Sequence, residues 1–257
     1  TGVKLSLLAK GTSKANELFK DENFLDEVIK LNAANDGIFG FSKLTKEIKN
    51  KNFDKVFIFN GSIRYRLLAL LSGIKEVYQY PFFISKDVIF QTAKIFTENY
   101  VNRVLSTKPK LNLDSKNIEE ANKKFNLRNN TKNIVLGISA SGPTKKWDIE
   151  NYINLATKLN KIQDCKFIIA ASKDDQEKID KIKESEIGKN CFSLESLSIQ
   201  EILPIIKNCD LYVGNDTSFM HISSALGINS IGIFVDSPAY SYSGYSDKII
   251  AIVPQGE

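Results

Sequence analysis

One histidine, one methionine and one tryptophan occur among 257 residues, together with three cysteines and six prolines. The cysteines, Cys165, Cys191 and Cys209, are odd in number, widely separated and never at metal-ligand spacing. That pattern excludes a disulfide framework and a cysteine-bound zinc, and it points to reduced thiols in a cytoplasmic setting. No apolar stretch approaches the roughly 18 residues that a helical bilayer span requires. Strong charge of one sign is missing too: 35 Lys plus Arg against 30 Asp plus Glu leave a net charge of +5. This mild excess suits an anionic small molecule, an anionic membrane surface or nucleic acid without selecting among them. Basic residues are scattered, with no stripe of interleaved arginines and aromatics, which argues against nucleic acid as a partner.

What is present reads as a globular α/β protein. Hydrophobic residues make up 42% and charged residues 25%, and the length suits two compact units of about 130 residues. Short β-rich runs, VKLSLL (3–8), KVFIF (55–59), EVYQY (76–80), NIVLGIS (133–139), KFIIAA (166–171), DLYVG (210–214), SIGIF (230–234) and KIIAIV (248–253), alternate with helical segments. Residues 63–73, 151–161, 175–185, 199–208 and 218–227 place apolar side chains three and four apart. Such alternation implies parallel sheets covered by helices, in two Rossmann-like domains. The polar stretch RNNTKN before a strong strand sets the predicted boundary, giving residues 1–130 and 131–257. Residues 81–132 show little periodicity.

Three strand-loop-helix junctions carry candidate chemistry. In YVGNDTSFMHISSALG (212–227) the buried strand DLYVG is followed by Asn215, Asp216 and Thr217, which can cap a helix that holds the lone His221. Ligands bind beyond the carboxyl ends of the strands in an open α/β sheet, so Asn215 to Ser218 stand where the architecture puts a site. Unpaired N–H groups at the helix start favour an anion, and Thr217 and His221, four apart, project from one face. A capped helix with a histidine satisfying its neighbours is the plainer alternative. In the second junction, 133–159, Gly137 and Gly142 are spaced like the first two glycines of a phosphate-binding P-loop. Pro143 and Thr144 occupy the required Lys-Ser/Thr position, so that motif fails. Ser139, Ser141 and Lys145 still offer hydroxyls and a point charge for a phosphate, and Trp147 anchors the helix start; solvated lysines and ordinary packing are the alternative there. The third, FNGSIRYRLLALLSG (59–73), puts Arg64 in the first turn of a helix, unfavourable unless an anion or carboxylate offsets it.

Together these segments resemble glycosyltransferase family 9, the heptosyltransferase family of bacterial lipopolysaccharide synthesis, over most of the chain. FDKVFIFNGSIRYRLLALLSG is similar to the family's strand and Ser-x-Arg helix start, KKW to its Lys-x-Trp element, and VGNDTSFMHISSALG to its Asp-Thr-Gly-x-x-His signature. The resemblance implies two Rossmann-like domains in the GT-B arrangement. It also implies that Asp216, Thr217, Ser218 and His221 contact the sugar and diphosphate of the donor, while Lys145, Ser139 and Ser141 reach the phosphates. Asp174 or Asp175 would meet the ribose, with Asp174 the position carried forward, and Arg64 would lie on the acceptor side. Ser218 stands at the family's glycine position. The family's opening strand and Gly-Asp loop, which carries the presumed base, has no counterpart before VKLSLL, and the usual stretch after the last strand is also missing. The expectation is a chain lacking both ends, with its catalytic base unknown and Asp36 the leading carboxylate of the first half.

The reaction so implied moves a sugar, a heptose from an ADP-activated donor, to a hydroxyl of a lipopolysaccharide or lipooligosaccharide core, with inversion at the anomeric carbon. No Asp-x-Asp triplet occurs, and the expectation is a metal-independent enzyme without cofactor, cytoplasmic, with a lipid-linked acceptor and peripheral contact with the inner membrane. Two alternatives stand beside it: a nucleotide-sugar-binding protein without turnover, and a GT-B-like sugar nucleotide epimerase, which would convert donor without acceptor.

Overall fold

A computed structural model describes residues 2–81, 88–127, 130–140 and 142–254. The chain divides into two compact units, the first comprising residues 1–19 and 23–107 and the second 20–22 and 108–257. In the first unit, β1 (Ser6–Lys10), α1 (Ala15–Leu18), β2 (Glu27–Leu31), α2 (Gly37–Asn50), β3 (Lys55–Ile58), α3 (Ile63–Leu71), β4 (Glu76–Gln79) and α4 (Ile89–Val101) follow in order. β1 pairs in parallel with β2, and β3 with β4, as two separate two-stranded sheets. Leu44, Ile48, Ile58 and Leu68 form the core that joins α2 and α3 to these strands. A pocket of about 640 Å³ that opens to solvent, lined mostly by apolar side chains of β1, β2 and β3 such as Leu7, Ile29 and Phe57, lies beside that core. The strand EVIKL of β2 was not expected from the sequence; its lysine and glutamate mask a short, partly exposed strand.

The second unit runs α5 (Ser115–Phe125), β5 (Lys132–Gly137), α6 (Ile149–Ile162), β6 (Cys165–Ala170), α7 (Gln176–Glu184), β7 (Cys191–Ser193), α8 (Ile199–Lys207), β8 (Leu211–Asn215), α9 (Ser218–Ala225), β9 (Asn229–Ile233), α10 (Ala239–Ser243) and β10 (Ile249–Ile252). All six strands are parallel, in the order β10-β9-β8-β5-β6-β7. Helices cover the sheet, so its central strands are continuous apolar runs: Val135, Leu136, Phe167, Ile168 and Ile169 are fully buried. Chain order runs outward from β5 in one direction and from β8 in the other, so the adjacent ends of β5 and β8 form the topological switch point.

The chain passes from the first unit to the second between residues 107 and 108. Helix α5 belongs with the second unit: Asn208 Nδ2 on the α8 side donates to the Ile118 carbonyl at 2.9 Å, and Phe125 stacks on Phe192 at 5.1 Å between centroids. Its three apolar residues, Ile118, Ala121 and Phe125, are too sparse among charges to stand out as a periodic face. Residues 20–22 join the same unit because the buried Glu22 accepts from both the backbone N–H and the side-chain amide of Asn112, each at 2.8 Å.

Candidate functional site

At the switch point β5 and β8 lie side by side with Gly137 opposite Gly214. Neither position tolerates a side chain: a Cβ on Gly137 would lie 1.9 Å from Tyr212 Oη, and one on Gly214 would lie 2.5 Å from the Gly137 backbone. The space so released is crossed by the fully buried Tyr212, whose hydroxyl donates to the Asn215 carbonyl at 2.9 Å. Burial pushes that phenol well above its ordinary range, so it stays protonated. Its one proton being committed, the Thr217 hydroxyl, 3.3 Å away, donates to it.

Thr217 is therefore not spent on its own helix. α3, α5, α6 and α8 are each capped by a Ser or Asp side chain, but Thr217 makes no side-chain cap bond to α9. Among the described residues the Ser218 and Phe219 N–H groups have no protein acceptor, whereas Met220 N–H bonds the Thr217 carbonyl at 3.1 Å; the two open donors favour an anion there. One turn on, His221 Nδ1 meets Tyr245 Oη at 2.5 Å and His221 Nε2 lies 3.5 Å from Asp216 Oδ1. A carboxylate beside Nε2 favours the proton on that nitrogen, leaving Nδ1 to accept from Tyr245. Burial, with the Asp216 charge adding to it, pushes Tyr245 up to about 12, so it remains a donor throughout the working pH range. The imidazole is not packed into the core: its side chain is 38% exposed.

The loop after β5 is tied to this point by Asn215, which the sequence placed in the site span without assigning it a role. It is fully buried; its Oδ1 accepts from Trp147 N–H at 2.9 Å and its Nδ2 donates to the carbonyls of Ile138 at 3.1 Å and Ser139 at 3.2 Å. Lys145 lies two residues before one end of this bridge, and Asp216 and Thr217 directly follow the other. Lys145 is half-buried and, among the described residues, has no ion-pair partner. Ser141 lies outside the described residues.

Ser139 and the two aspartates of the next loop are placed differently from one another. Asp175 is buried and Asp174 exposed. Asp175 Oδ2 accepts from Ser139 Oγ at 2.5 Å and Ser172 Oγ at 2.8 Å, and its Oδ1 accepts from Lys178 Nζ at 2.6 Å, with Lys146 Nζ 3.9 Å away. Burial alone would raise this carboxyl, but the three hydrogen bonds prevail and hold it at about 2. Ser139 Oγ also accepts from Ser172 N–H at 2.9 Å. Its hydroxyl thus serves the loop rather than standing free for a ligand, whereas Ser218 and Asp174 are exposed and unengaged by any hydrogen bond among the described residues. In the first unit Arg64 is offset as its position demanded: it pairs with Asp36 at 3.3 Å and donates to the Asn35 carbonyl at 2.6 Å.

A switch-point site with an uncapped helix, a tethered histidine and a lysine loop matches a known pattern. The family model for glycosyltransferase family 9 (heptosyltransferase) matches residues 84–256, which take in the whole of this site. The chain belongs to that family. Among curated proteins, lipopolysaccharide heptosyltransferase 1 of Campylobacter coli is 22% identical over 95% of this chain and 79% of its own length. Among solved structures, ADP-heptose lipopolysaccharide heptosyltransferase II of E. coli superposes with a TM-score of 0.78 at 18% identity, over 98% of this chain and 81% of that one. The E. coli heptosyltransferase WaaC with ADP superposes at 0.73 and 14% identity, over 99% and 85%. The two Rossmann-like halves expected from the sequence thus correspond to the GT-B fold of these enzymes.

The sequence placed Asn215 in the site span but did not give it a bridging role, and it did not mark Tyr245. Asn215 was visible as a polar residue ending an apolar strand, a signal that could have marked it. Tyr245 was not legible: it lies 24 residues beyond His221 in a segment that holds two other tyrosines, Tyr240 and Tyr242.

Proposed function

We propose that this family 9 glycosyltransferase moves a heptose from an ADP-activated donor to a hydroxyl of a lipid-linked lipopolysaccharide or lipooligosaccharide core, with inversion and without a metal. The observation that carries the reading is the uncapped start of α9, flanked by Thr217 and His221 and bridged through Asn215 to the Lys145 loop. Transfer needs an anion stabilised as the diphosphate leaves, and these groups supply it: helix N–H donors, a lysine point charge and an imidazole held by Asp216 and Tyr245. Charge neutralisation from Lys145 and the helix end supports a metal-independent departure. The proposed ribose partner is Asp174, a reading supported by its exposure while Asp175 is committed to the protein. ADP is favoured as the nucleotide because a solved structure similar to this chain is the E. coli WaaC with ADP. Inversion requires a base to take the acceptor proton, and Asp36, turned to Arg64, is not assigned that role.

Titration calorimetry with ADP and UDP tests the donor site. ADP is expected to bind more tightly than UDP. Tyr245→Phe removes one hydrogen bond to the ring, and His221→Ala removes the ring itself. They should weaken ADP by about tenfold and by ten- to a hundredfold respectively, the range for bonds to charged groups. Affinity unchanged in His221→Ala would remove the residue from the site. Transfer surviving excess chelator is the expected result for metal independence; a strict need for magnesium or manganese would overturn it.

A further inference from the structure

Helix α3 carries two apolar faces. Leu68 and Ala69 are buried in the core of the first unit, whereas Ile63, Leu67, Leu70 and Leu71 are 70%, 46%, 50% and 60% exposed. Those four positions follow the i, i+4, i+7, i+8 spacing that makes one continuous stripe along a helix. The stripe starts beside another exposed apolar pair. Arg64 at the head of α3 pairs with Asp36 and bonds the Asn35 carbonyl, which sets the head of α2 next to it, and there Ile38 and Phe39 are 87% and 92% exposed. Isolated exposed leucines are ordinary, but four large apolar side chains along the length of α3, with two more at the adjoining head of α2, are not.

The charge around them is mostly positive, the N-cap acid Asp36 being paired with Arg64. α2 and α3 together contain Lys43, Lys46, Lys49, Arg64 and Arg66 against a single acid, Glu47. Arg66 is placed between Ile63 and Leu70 on the stripe itself, and Lys43 and Lys46 fall on the same side of α2 as Phe39, one and two turns on. Among the described residues none of these three cations has an ion-pair partner, whereas Arg64 has Asp36.

We propose that this face docks the first unit on an anionic lipid bilayer. Apolar side chains would enter the headgroup and acyl boundary, and the long cationic side chains would reach back to the lipid phosphates. A second copy of the chain is a poorer occupant, because a two-fold contact would set the same cations against themselves. The inference rests on the proposed lipid-linked acceptor for its purpose, while its physical basis lies in the first unit alone.

Flotation of the full chain with vesicles of phosphatidylglycerol and phosphatidylethanolamine, beside vesicles of phosphatidylcholine alone, tests it. Binding is expected to the anionic vesicles, falling as salt is raised. Leu67→Glu combined with Leu70→Glu should lower partitioning at least tenfold with an unchanged far-UV circular dichroism spectrum. Arg66→Gln and Lys43→Gln should each lower it roughly fivefold, the weight of one cation near an anionic surface. Absence of wild-type binding, equal binding to phosphatidylcholine, or full binding by the double glutamate variant would overturn the proposal. So would a concentration-dependent dimer, seen by light scattering, that the double variant dissolves while vesicles go unbound. ADP calorimetry on the same proteins keeps the two readings apart: ADP affinity should not change in the stripe variants. A wild type that binds vesicles but not ADP would count against the donor site and leave the docking face standing.

Discussion

A buried carboxylate decides how the nucleotide-side loops are held. Asp175 gathers Ser139, Ser172 and Lys178 around itself, and the Lys146 ammonium, pulled below its ordinary value chiefly by the neighbouring Lys178, stands at the edge of the group. The Asp175 carboxyl lies at about 2 in the folded chain against 3.8 ordinarily. A depressed folded value means that its stabilisation is fully present above about pH 4 and is lost as pH falls through about 2. The gap corresponds to about 2 kcal/mol. Asp175→Asn should therefore lower stability by about that amount at pH 7, and the difference from wild type should shrink steadily between pH 4 and pH 2. Urea unfolding at a series of pH values measures it; a difference that stays constant across that interval would mean the carboxylate charge is not what stabilises the loop.

Among elements, the junction of β8 with α9 does two jobs through adjacent residues. Asn215 closes the β5 loop against the sheet, and next in the chain Thr217 meets Tyr212 and Asp216 meets His221, the residues proposed for the donor site. Asn215→Asp keeps the acceptor for Trp147 N–H but replaces two donated bonds with a carboxylate oxygen facing the Ile138 and Ser139 carbonyls. Leaving such buried groups unpaired costs about 1–3 kcal/mol. The variant should lose stability in that range and should weaken ADP more than tenfold by releasing the Lys145 loop, with its circular dichroism spectrum retained. Stability lost with ADP affinity intact would confine Asn215 to folding.

What was readable beforehand follows the same division of elements. The junctions at 137–147 and 215–221 were legible because strand, loop and helix are contiguous and their residue types are special: small residues, an Asp-Thr pair, one imidazole. Six of the eight predicted strands begin and end within one residue of those observed, the central ones because a parallel strand buried on both faces is an apolar run; VKLSLL (3–8) against β1 and NIVLGIS (133–139) against β5 fit less closely. The partners that hold the site were not legible. Tyr245 reaches His221, and Ser172 and Lys178 reach Asp175, across loops whose closure depends on packing, and no spacing in the chain encodes that. α4 and α5 were missed because their buried faces are small: Thr92 and Phe96 in one, Ala121 in the other.

At the scale of the molecule the two units differ in how completely they are built. The second has one continuous six-stranded sheet with fully buried central strands. Among the described residues the first has two two-stranded sheets beside a pocket of about 640 Å³ that opens to solvent. Two-stranded sheets are marginal without further packing, so the first unit should unfold at lower denaturant than the second. The chain provides its own probe for this. Its one tryptophan, Trp147, packs against the second unit's core beside the fully buried Tyr152, at 4.8 Å between ring centroids. Trp147 emission therefore follows the second unit alone, while far-UV circular dichroism follows both. In a urea titration the circular dichroism signal should begin to fall before the emission changes, which is the mark of a transition that is not two-state. Saturating ADP should move the later, tryptophan-detected midpoint upward, because a ligand held by β5, β8 and α9 stabilises only the folded second unit. Superimposable transitions, both shifted by ADP, would mean that the units fold as one.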